Sequence, residues 1–588
     1  MNQFFKNVSA ATLCVFFAFI LMFLFFIVFL GSLADAKPTI SKNTVLELDL
    51  SSQIPEITGN VETSGFNYDN VGVLGLNTIK QLIDHAANDD KIKGILIRNN
   101  SVGGGQSTMA SIRESLIKFK ESEKFIYAYS DMYSQSAYYL GSTADSIYLN
   151  PLGMIDIKGF SAFIPFFKSA LDKIGVSMNV FYAGNFKSAT EPYRKDEMSE
   201  ENRIQTKEFL VSMVEHFKDA IASSRNLSAE DVDQIMTEYK GRNAKSCLES
   251  GLVDKLAYWD EVEGIIREKL DIEKDKKIKF KSLNDYNNAV TLRYGKSKSK
   301  DKIAVVFAEG IITYGTNDKG SISEEKYLKI FNELQNDKNV KAVVLRVNSP
   351  GGNSLTSDII WRGIENLKAA GKPVIASFGD YAASGGYYIA AGADTIVSAP
   401  NTLTGSIGVY MMFPNATKLM NEKLGITFDE VKTHPMAVGL TPVKNLSDSE
   451  KTLLQESTIE VYDTFLKRVA DGRNMTVDQV HEVAQGRVWT GTKAKELGLV
   501  DIIGDLEEAI KIAAQSANLK EYKIKSLPEI KETFIDQVLK GIASSDDISA
   551  QLGINNSELQ LIKEYGEIKS ILLDRSPQAR LPFIMKFD

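Results

Sequence analysis

The apolar and polar positions divide the chain into an N-terminal apolar run and a long, patterned remainder. Residues 8–33 contain no charged side chain, and such a run is long enough to cross a bilayer as a helix. Lys6 precedes it, which favours an N-terminus on the cytoplasmic side. The sequence therefore predicts a membrane anchor over residues 1–36. A cleavable signal peptide is the alternative, since residues 34–36 resemble a cleavage site, but the run exceeds a signal-peptide core in length.

Beyond the anchor, short apolar segments alternate with longer amphipathic ones. The short segments have the length and composition of buried strands; they cover residues 45–50, 91–98, 125–129, 146–149, 303–307, 342–347, 374–377 and 395–398. Apolar residues at helical spacing follow two of them, at positions 112–119 and 359–367. Strands that alternate with helices indicate βαβ units, so the pattern predicts an α/β protein with a largely parallel sheet.

The same order of motifs occurs twice. The segment ILIRNNSVGGG from Ile95 matches VLRVNSPGGN from Val344, and YYLGSTADSIYLNP matches YYIAAGADTIVSAP, with Tyr138 and Tyr387 249 positions apart (387 − 138). ESGLVD and ELGLVD match at nearly the same offset. Agreement over so long a stretch indicates a duplicated domain, not a short-period repeat.

The duplication predicts four regions. The anchor is followed by a first repeat over residues 37–295 and a second repeat over 296–526, with a charge-rich linker around their junction. Residues 527–588 form a C-terminal extension with two amphipathic helical patterns, and no chemistry is legible there.

Composition narrows the function. The net charge of −8 argues against a general nucleic-acid-binding protein, which needs a basic surface. Cys14 and Cys247 do not suggest a disulfide framework, and the four histidines show no metal-binding spacing. We therefore expect no metal, no cofactor and no nucleic-acid partner.

Candidate chemistry lies where the two copies differ. Ser384, in the segment Ala-Ser-Gly-Gly between a predicted strand and a helix, falls opposite Gln135, and Ser406 falls opposite Ile157. A serine at such a turn can be a nucleophile, because the helix start favours a developing anion. The alternative is a packed helix whose small residues only allow close approach of its neighbours.

The first copy carries a possible base that the second copy lacks. Lys187 falls opposite Ala437, although Lys444 lies nearby and small gaps would move the alignment. A serine hydroxyl needs a base to become nucleophilic, and lysine can serve when burial lowers its pKa. An ordinary surface lysine is the alternative. The reciprocal loss between copies favours a Ser384–Lys187 dyad built from both.

Glycine-rich turns supply candidate oxyanion donors. Gly351 and Gly352 follow a strand and open a helix, and Gly385 follows Ser384. Glycine lets backbone N–H groups approach a substrate carbonyl closely. Taken alone, the Pro-Gly-Gly segment would be read as a simple turn.

Four motifs carry a family resemblance: DYAASGGYYIAAGAD, RVNSPGGN, TLTGSIGV, and FKSATEPY with the RKDEMS that follows it. They resemble the Ser/Lys peptidases of the signal peptide peptidase A family, in its long tandem-repeat form, over residues 40–520. The resemblance implies two tandem Clp-protease/crotonase-like domains of repeated ββα units. It also implies roles: Ser384 as nucleophile, Lys187 as general base, Ser406 as the residue that orients the lysine, and Gly352 or Gly351 with Gly385 as the oxyanion hole.

The resemblance further implies a setting and a substrate. Such proteins are single-pass proteins of the bacterial inner membrane with their catalytic domains on the extracytoplasmic side, and they assemble as homotetramers. They degrade residual signal peptides and other hydrophobic peptides. A crotonase-like acyl-CoA enzyme and an inactive membrane scaffold are the alternatives. The sequence leaves open the cleavage preference, and whether Ser384 and Lys187 meet within one chain.

Overall fold

A computed structural model describes residues 39–60, 73–292, 298–315, 320–530 and 577–580. The predicted anchor and the two helical patterns of the C-terminal extension lie outside these residues. Across the described ranges, no helix has the length and hydropathy needed to cross a membrane.

The strands, in chain order, are β1 Thr44–Leu48, β2 Ile92–Ile97, β3 Phe125–Tyr133, β4 Ser146–Ile155, β5 Ser177–Ala183, β6 Lys255–Leu256, β7 Lys279–Ser282, β8 Lys302–Glu309, β9 Ile311–Thr313, β10 Ser321–Ser323, β11 Val340–Ser349, β12 Gly351–Asn353, β13 Val374–Ala383, β14 Thr395–Ser398, β15 Leu403–Gly405, β16 Val409–Asn415, β17 Val488–Thr490, β18 Ile502–Ile503, β19 Lys523–Leu527 and β20 Gln578–Arg580. Every predicted strand segment overlaps one of these strands.

The α-helices are α1 Leu76–Asn88, α2 Gln106–Lys120, α3 Gln135–Gly141, α4 Lys168–Lys173, α5 Glu191–Arg194, α6 Glu200–Arg225, α7 Ala229–Thr237, α8 Ala244–Glu249, α9 Trp259–Lys269, α10 Leu283–Ala289, α11 Glu324–Asn336, α12 Ser354–Ala369, α13 Gly385–Ala390, α14 Asp448–Arg473, α15 Val477–Val483, α16 Gly491–Glu496 and α17 Leu506–Ser516. The two amphipathic segments predicted as helices correspond to α2 and α12.

Two sheets form the cores of the two halves. The first has the order β6-β4-β3-β2-β1-β7 and is parallel throughout. The second follows β17-β15-β13-β11-β8-β19, with β14 beside β13 and β18 beside β14, and is parallel except at the β15–β17 pair. Helices cover both faces of each sheet, which explains why these strands read as continuous apolar runs. In β1, for example, Leu46 and Val45 belong to separate cores on opposite faces.

Equivalent side-chain contacts recur in the two halves. The hydroxyl of Tyr138 donates to the Leu252 carbonyl at 2.8 Å, and that of Tyr387 donates to the Leu499 carbonyl at 2.7 Å. These tyrosines are the pair matched in the sequence at an offset of 249. The internal repeat is therefore present in the structure as well as in the motifs.

A third, mixed sheet joins the halves, with the order β10-β9-β12-β20-β16-β5. Its β5 comes from the first repeat and pairs antiparallel with β16 of the second, from Val409 opposite Ala183 to Asn415 opposite Ser177. This pairing positions the candidate site, because Lys187 follows β5 by four residues and Ser406 precedes β16 by three.

Candidate active site

Three predicted site residues meet within one chain. The Nζ of Lys187 lies 2.7 Å from the Oγ of Ser384 and 3.0 Å from both the Oγ and the carbonyl oxygen of Ser406. Ser384 and Ser406 have no exposed surface, and Lys187 is 1% exposed. Lys187 belongs to the first repeat and the two serines to the second. A single chain therefore brings Lys187 and Ser384 together without a second subunit.

The surroundings of Lys187 disfavour its charged form. Burial holds the pKa of the Lys187 amine well below its usual value, because a low-dielectric interior penalises an ammonium group. The three oxygens around Nζ belong to neutral groups, two hydroxyls and one carbonyl. The site can therefore hold a neutral lysine amine beside a serine hydroxyl, which is the arrangement that a general base requires.

A loop of the second repeat supports the turn that carries Lys187. The Phe186 N–H donates to the Gln485 carbonyl at 2.8 Å. Gly486 adjoins Lys187 so closely that a β-carbon on it would lie 2.7 Å from Lys187 Cβ and 2.7 Å from its backbone nitrogen. Gly486 has φ +79°, a conformation that favours glycine. This contact could not be predicted from the sequence, since nothing local to residue 486 points to Lys187.

Ser384 stands at a sharp turn between β13 and α13. Its backbone has φ 55° and ψ −115°, a conformation that costs a non-glycine residue roughly 1–3 kcal/mol. The turn is held by its N–H, which donates to the Gly405 carbonyl at 2.8 Å, and by its carbonyl, which accepts from the Tyr388 N–H at 2.8 Å. Hydrogen bonds on both sides of the turn thus hold the strained backbone that aims the hydroxyl at Lys187.

The predicted oxyanion glycines lie together beside Ser384. A β-carbon on Gly385 would lie 3.2 Å from the Gly352 nitrogen, and one on Gly351 would lie 2.7 Å from the Gly385 nitrogen. The two candidate donors on β12 differ, because the Gly351 N–H donates to the Ser349 hydroxyl at 3.2 Å. We therefore favour Gly352 over Gly351 as the partner of Gly385.

Strand β20 lies directly on this glycine strand. It runs antiparallel to β12, with Ala579 opposite Gly352, and on its other side Gln578 lies opposite Tyr410 of β16. Ala579 is fully buried. The sequence analysis assigned no role to this part of the chain, because three residues without periodicity carry no local signal.

The equivalent positions of the first repeat are used differently. The side chain of Gln135, opposite Ser384 in the repeat, accepts from the N–H groups of Lys158 and Gly159 and donates to the Gly159 carbonyl. At the start of α2, Thr108 donates its N–H and its hydroxyl to Asp380 of the second repeat, at 2.9 and 2.6 Å. In the first copy, the position of the serine thus binds a loop of its own repeat, and the start of α2 contacts the second repeat.

The alternative lysine of the second repeat lies elsewhere. Lys444 is partly exposed and forms ion pairs with Glu430 and Glu450 at 3.7 and 3.4 Å. Two carboxylates thus surround Lys444, whereas the oxygens around Lys187 belong to neutral groups. Ala437, which the repeat offset places opposite Lys187, lies in an exposed loop.

A buried charge cluster between the repeats was also missed. Arg346 forms a bidentate pair with Glu56, with both distances 3.0 Å, and Glu56 donates its N–H to Glu309 at 2.7 Å. Burial, reinforced by the neighbouring Glu56 carboxylate, raises the pKa of Glu309 to about 8. The one feature of the sequence that could have pointed to this cluster is the repeat, which matches Arg346 with Arg98. Glu56 lies outside the matched motifs.

Comparison with known proteins identifies the family of the chain. The model of "Peptidase family S49" matches residues 118–273 and 366–520. The chain is 34% identical to "Protease 4" of Salmonella typhi over 489 residues, which is 82% of this chain and 78% of that protein. It is 32% identical to "Serine protease SPPA, chloroplastic" of Arabidopsis thaliana, over 93% of this chain and 78% of that protein. A "Putative signal peptide peptidase SppA" of Enterococcus faecium is 39% identical over 36% of this chain and 62% of that protein.

An α/β fold with two family repeats, together with these relatives, defines the chain as a serine peptidase. More specifically, it belongs to peptidase family S49, since the family model covers more than half of its length.

Proposed function

We propose that this chain is a serine endopeptidase in which Ser384 is the nucleophile and Lys187 the general base. The observation that carries the proposal is the 2.7 Å contact between Lys187 Nζ and Ser384 Oγ in a fully buried setting. Lysine acts as a base only when it is neutral at working pH, and burial lowers its pKa in that direction.

The reaction proceeds by acyl transfer. Neutral Lys187 takes the proton of the Ser384 hydroxyl while Oγ attacks the carbonyl carbon of an extended peptide. The oxyanion accepts hydrogen bonds from the N–H groups of Gly352 and Gly385. The protonated Lys187 then gives its proton to the departing amine, which leaves an ester on Ser384. Water, deprotonated by Lys187, attacks the ester, and the proton returns to the Ser384 oxygen as the acid product leaves.

Ser406 would orient the base. A neutral amine has two N–H donors and one lone pair, and the two Ser406 oxygens at 3.0 Å can accept both donors. The lone pair is then left for Ser384. After proton transfer, the three N–H groups of the ammonium form have the same three oxygens as acceptors. Both protonation states of Lys187 are therefore hydrogen-bonded without movement of the side chain.

We further propose that the substrates are signal peptides left after preprotein processing and other hydrophobic peptides. The motif resemblance and the name of the Enterococcus relative support this class. The apolar run over residues 8–33 supports a single-pass anchor at residues 1–36, which would place the catalytic domains on the extracytoplasmic side of a bacterial inner membrane. An anchored enzyme would meet peptides that lie in the bilayer.

The proposed domain plan is the one read from the repeat: Clp-protease/crotonase-like repeats at 37–295 and 296–526, with an extension at 527–588.

We also propose a homo-oligomer, such as a tetramer. Residues 160–166 are the repeat equivalent of β16, and 427–433 are the equivalent of β5; both segments are described, and neither forms a strand. Phe163 is 99% exposed and Val431 102% exposed. Phe163 and Val431 therefore present apolar surface that a second copy of the chain can cover.

The test compares cleavage of a fluorogenic hydrophobic peptide by the detergent-solubilised full chain with cleavage by Ser384→Ala and Lys187→Ala. We expect each substitution to lower kcat by at least about 10³-fold, with Lys444→Ala as the matched lysine control at full activity. Full activity in either dyad variant would overturn the assignment. An inactive wild type that binds acyl-CoA would favour a crotonase-like enzyme, and one that binds neither substrate would favour a scaffold.

A further inference from the structure

The C-terminal strand β20 fills a gap that is one strand wide beside the candidate site. In the third sheet it lies between β12, which carries Gly351 and Gly352, and β16, and it pairs antiparallel with both. An extended peptide that adds a strand between two sheet edges gains backbone hydrogen bonds from each side. The gap therefore has the form of a binding site for an extended peptide, and a segment of this chain occupies it.

The register can be followed from the Ser354 end. The N–H and the hydroxyl of Ser354 donate to the Pro577 carbonyl at 3.1 and 2.8 Å. Hydrogen-bonded pairs recur at every second residue in an antiparallel ladder, so Gly352 and Ala579 form the next such pair. This turns the Ala579 carbonyl towards the Gly352 N–H.

The close approach of the Ala579 carbonyl oxygen to the glycines gives the same position for this carbonyl. The position that a β-carbon on Gly385 would take lies 3.0 Å from the Ala579 carbonyl oxygen and 3.2 Å from the Gly352 nitrogen. A β-carbon on Gly351 would overlap that oxygen. The Ala579 carbonyl thus lies close to the glycines whose amides are assigned to the oxyanion hole.

We infer that residues 577–580 hold the place of a peptide substrate, with Ala579 as the residue whose carbonyl Ser384 would attack, so that the C-terminal segment is an intramolecular competitor of peptide substrates. The inference rests on the proposed function. It also identifies the side chain that the site takes at this position, because Ala579 is fully buried and a methyl group fills the space.

Because it belongs to the same chain, such a competitor can fill the site with low intrinsic affinity. A segment on the same chain can act at an effective concentration of about millimolar, so modest contacts are enough to fill the site. If the segment occupies the gap two thirds of the time, about one third of the molecules are free to bind substrate, and the apparent KM rises about threefold. The value of kcat is unchanged, because saturating substrate displaces the segment.

The experiment measures KM and kcat of the full chain with a short fluorogenic peptide. In Ala579→Trp the larger side chain cannot enter the closed space, so we expect KM to fall at least about threefold at constant kcat. The matched control is Ala369→Trp, at an exposed position at the far end of α12, which should behave as the wild type. A synthetic peptide of residues 574–583 should inhibit Ala579→Trp competitively, and the same peptide with tryptophan for the alanine should not.

Each outcome decides the matter. An unchanged or raised KM in Ala579→Trp, or failure of the alanine peptide to inhibit, would overturn the inference. The peptide arm keeps the test decisive if Ala579→Trp does not fold, because the peptide can then be assayed on the wild type, where it should raise KM. Failure of the proposed function would look different, because cleavage would then persist in Ser384→Ala.

Discussion

Substitution of Gly486 tests how the second repeat positions Lys187, the proposed base. A β-carbon at residue 486 would lie 2.7 Å from Lys187 Cβ, whereas ordinary van der Waals contact begins near 3.4 Å. In Gly486→Ala one of the two backbones must therefore shift by several tenths of an ångström. Because the contact is with the base of the Lys187 side chain, the shift is passed to Nζ, which now lies 2.7 Å from Ser384 Oγ. A misplacement of about 1 Å in a catalytic group costs on the order of 10²-fold in rate.

The chain provides a matched control for backbone strain. Gly486 and Gly498 have φ of +79° and +76°, and the nearest atom to a β-carbon on Gly498 is Met475 Sδ at 3.9 Å. Alanine costs roughly 1–2 kcal/mol at either glycine because of the left-handed conformation. Only in Gly486→Ala does the new β-carbon also clash with Lys187.

The assay is kcat for a fluorogenic peptide, with thermal unfolding of both variants in parallel. We expect both substitutions to lower stability, Gly486→Ala by the larger amount because of its clash with Lys187, and a drop in kcat of about 10–100-fold that is specific to Gly486→Ala. Equal kcat in the two folded variants would refute the idea that the 484–487 loop sets the position of the lysine.

Three further predictions concern the lowered pKa of Lys187, the buried Arg346–Glu56 pair and the exposed Phe163. Activity should rise with pH through the lowered pKa of Lys187, because only the neutral amine accepts a proton; a flat kcat/KM profile between about pH 6 and 9 would count against its role as base. Arg346→Leu leaves Glu56 buried without its partner and should destabilise the fold by about 3–5 kcal/mol in urea unfolding, whereas Arg98→Leu, at the equivalent but exposed position, should cost about 1 kcal/mol or less; equal losses would contradict the assigned burial. Phe163→Asp should lower the mass of the solubilised particle in light scattering if residues 160–166 pair with a second copy, and an unchanged mass would exclude that contact.

Much of the fold follows from local pattern. The strands lie at continuous apolar runs because parallel sheets are covered on both faces, and that pattern is legible within a few residues. The duplication could be read because both copies keep the contacts of their own cores, such as those of Tyr138 and Tyr387. Of the predicted site residues, Ser384 and Ser406 each lie within hydrogen-bond reach of Lys187, and the catalytic roles of the three remain a prediction.

Tertiary structure alone decided how the site is assembled. Lys187 reaches Ser384 because β5 pairs with β16 across the two repeats, and because Gly486 permits a close approach; neither contact has a local signature. The choice of Gly352 over Gly351 likewise depends on a hydrogen bond to Ser349 that spacing does not reveal.

By itself, the sequence determined the α/β class, the internal repeat, and the residues that could supply a nucleophile, a base and an oxyanion hole. The class follows from periodicities that span a few positions, and the repeat and the candidate residues follow from motifs that recur about 249 positions apart. Only the folded chain decided that Lys187 and Ser384 meet within one chain, that Thr108 of the first repeat binds Asp380 of the second, and that β20 pairs with β12. Long-range strand pairing brings together residues nearly 200 to more than 220 positions apart, and sequence spacing holds no information about such distances.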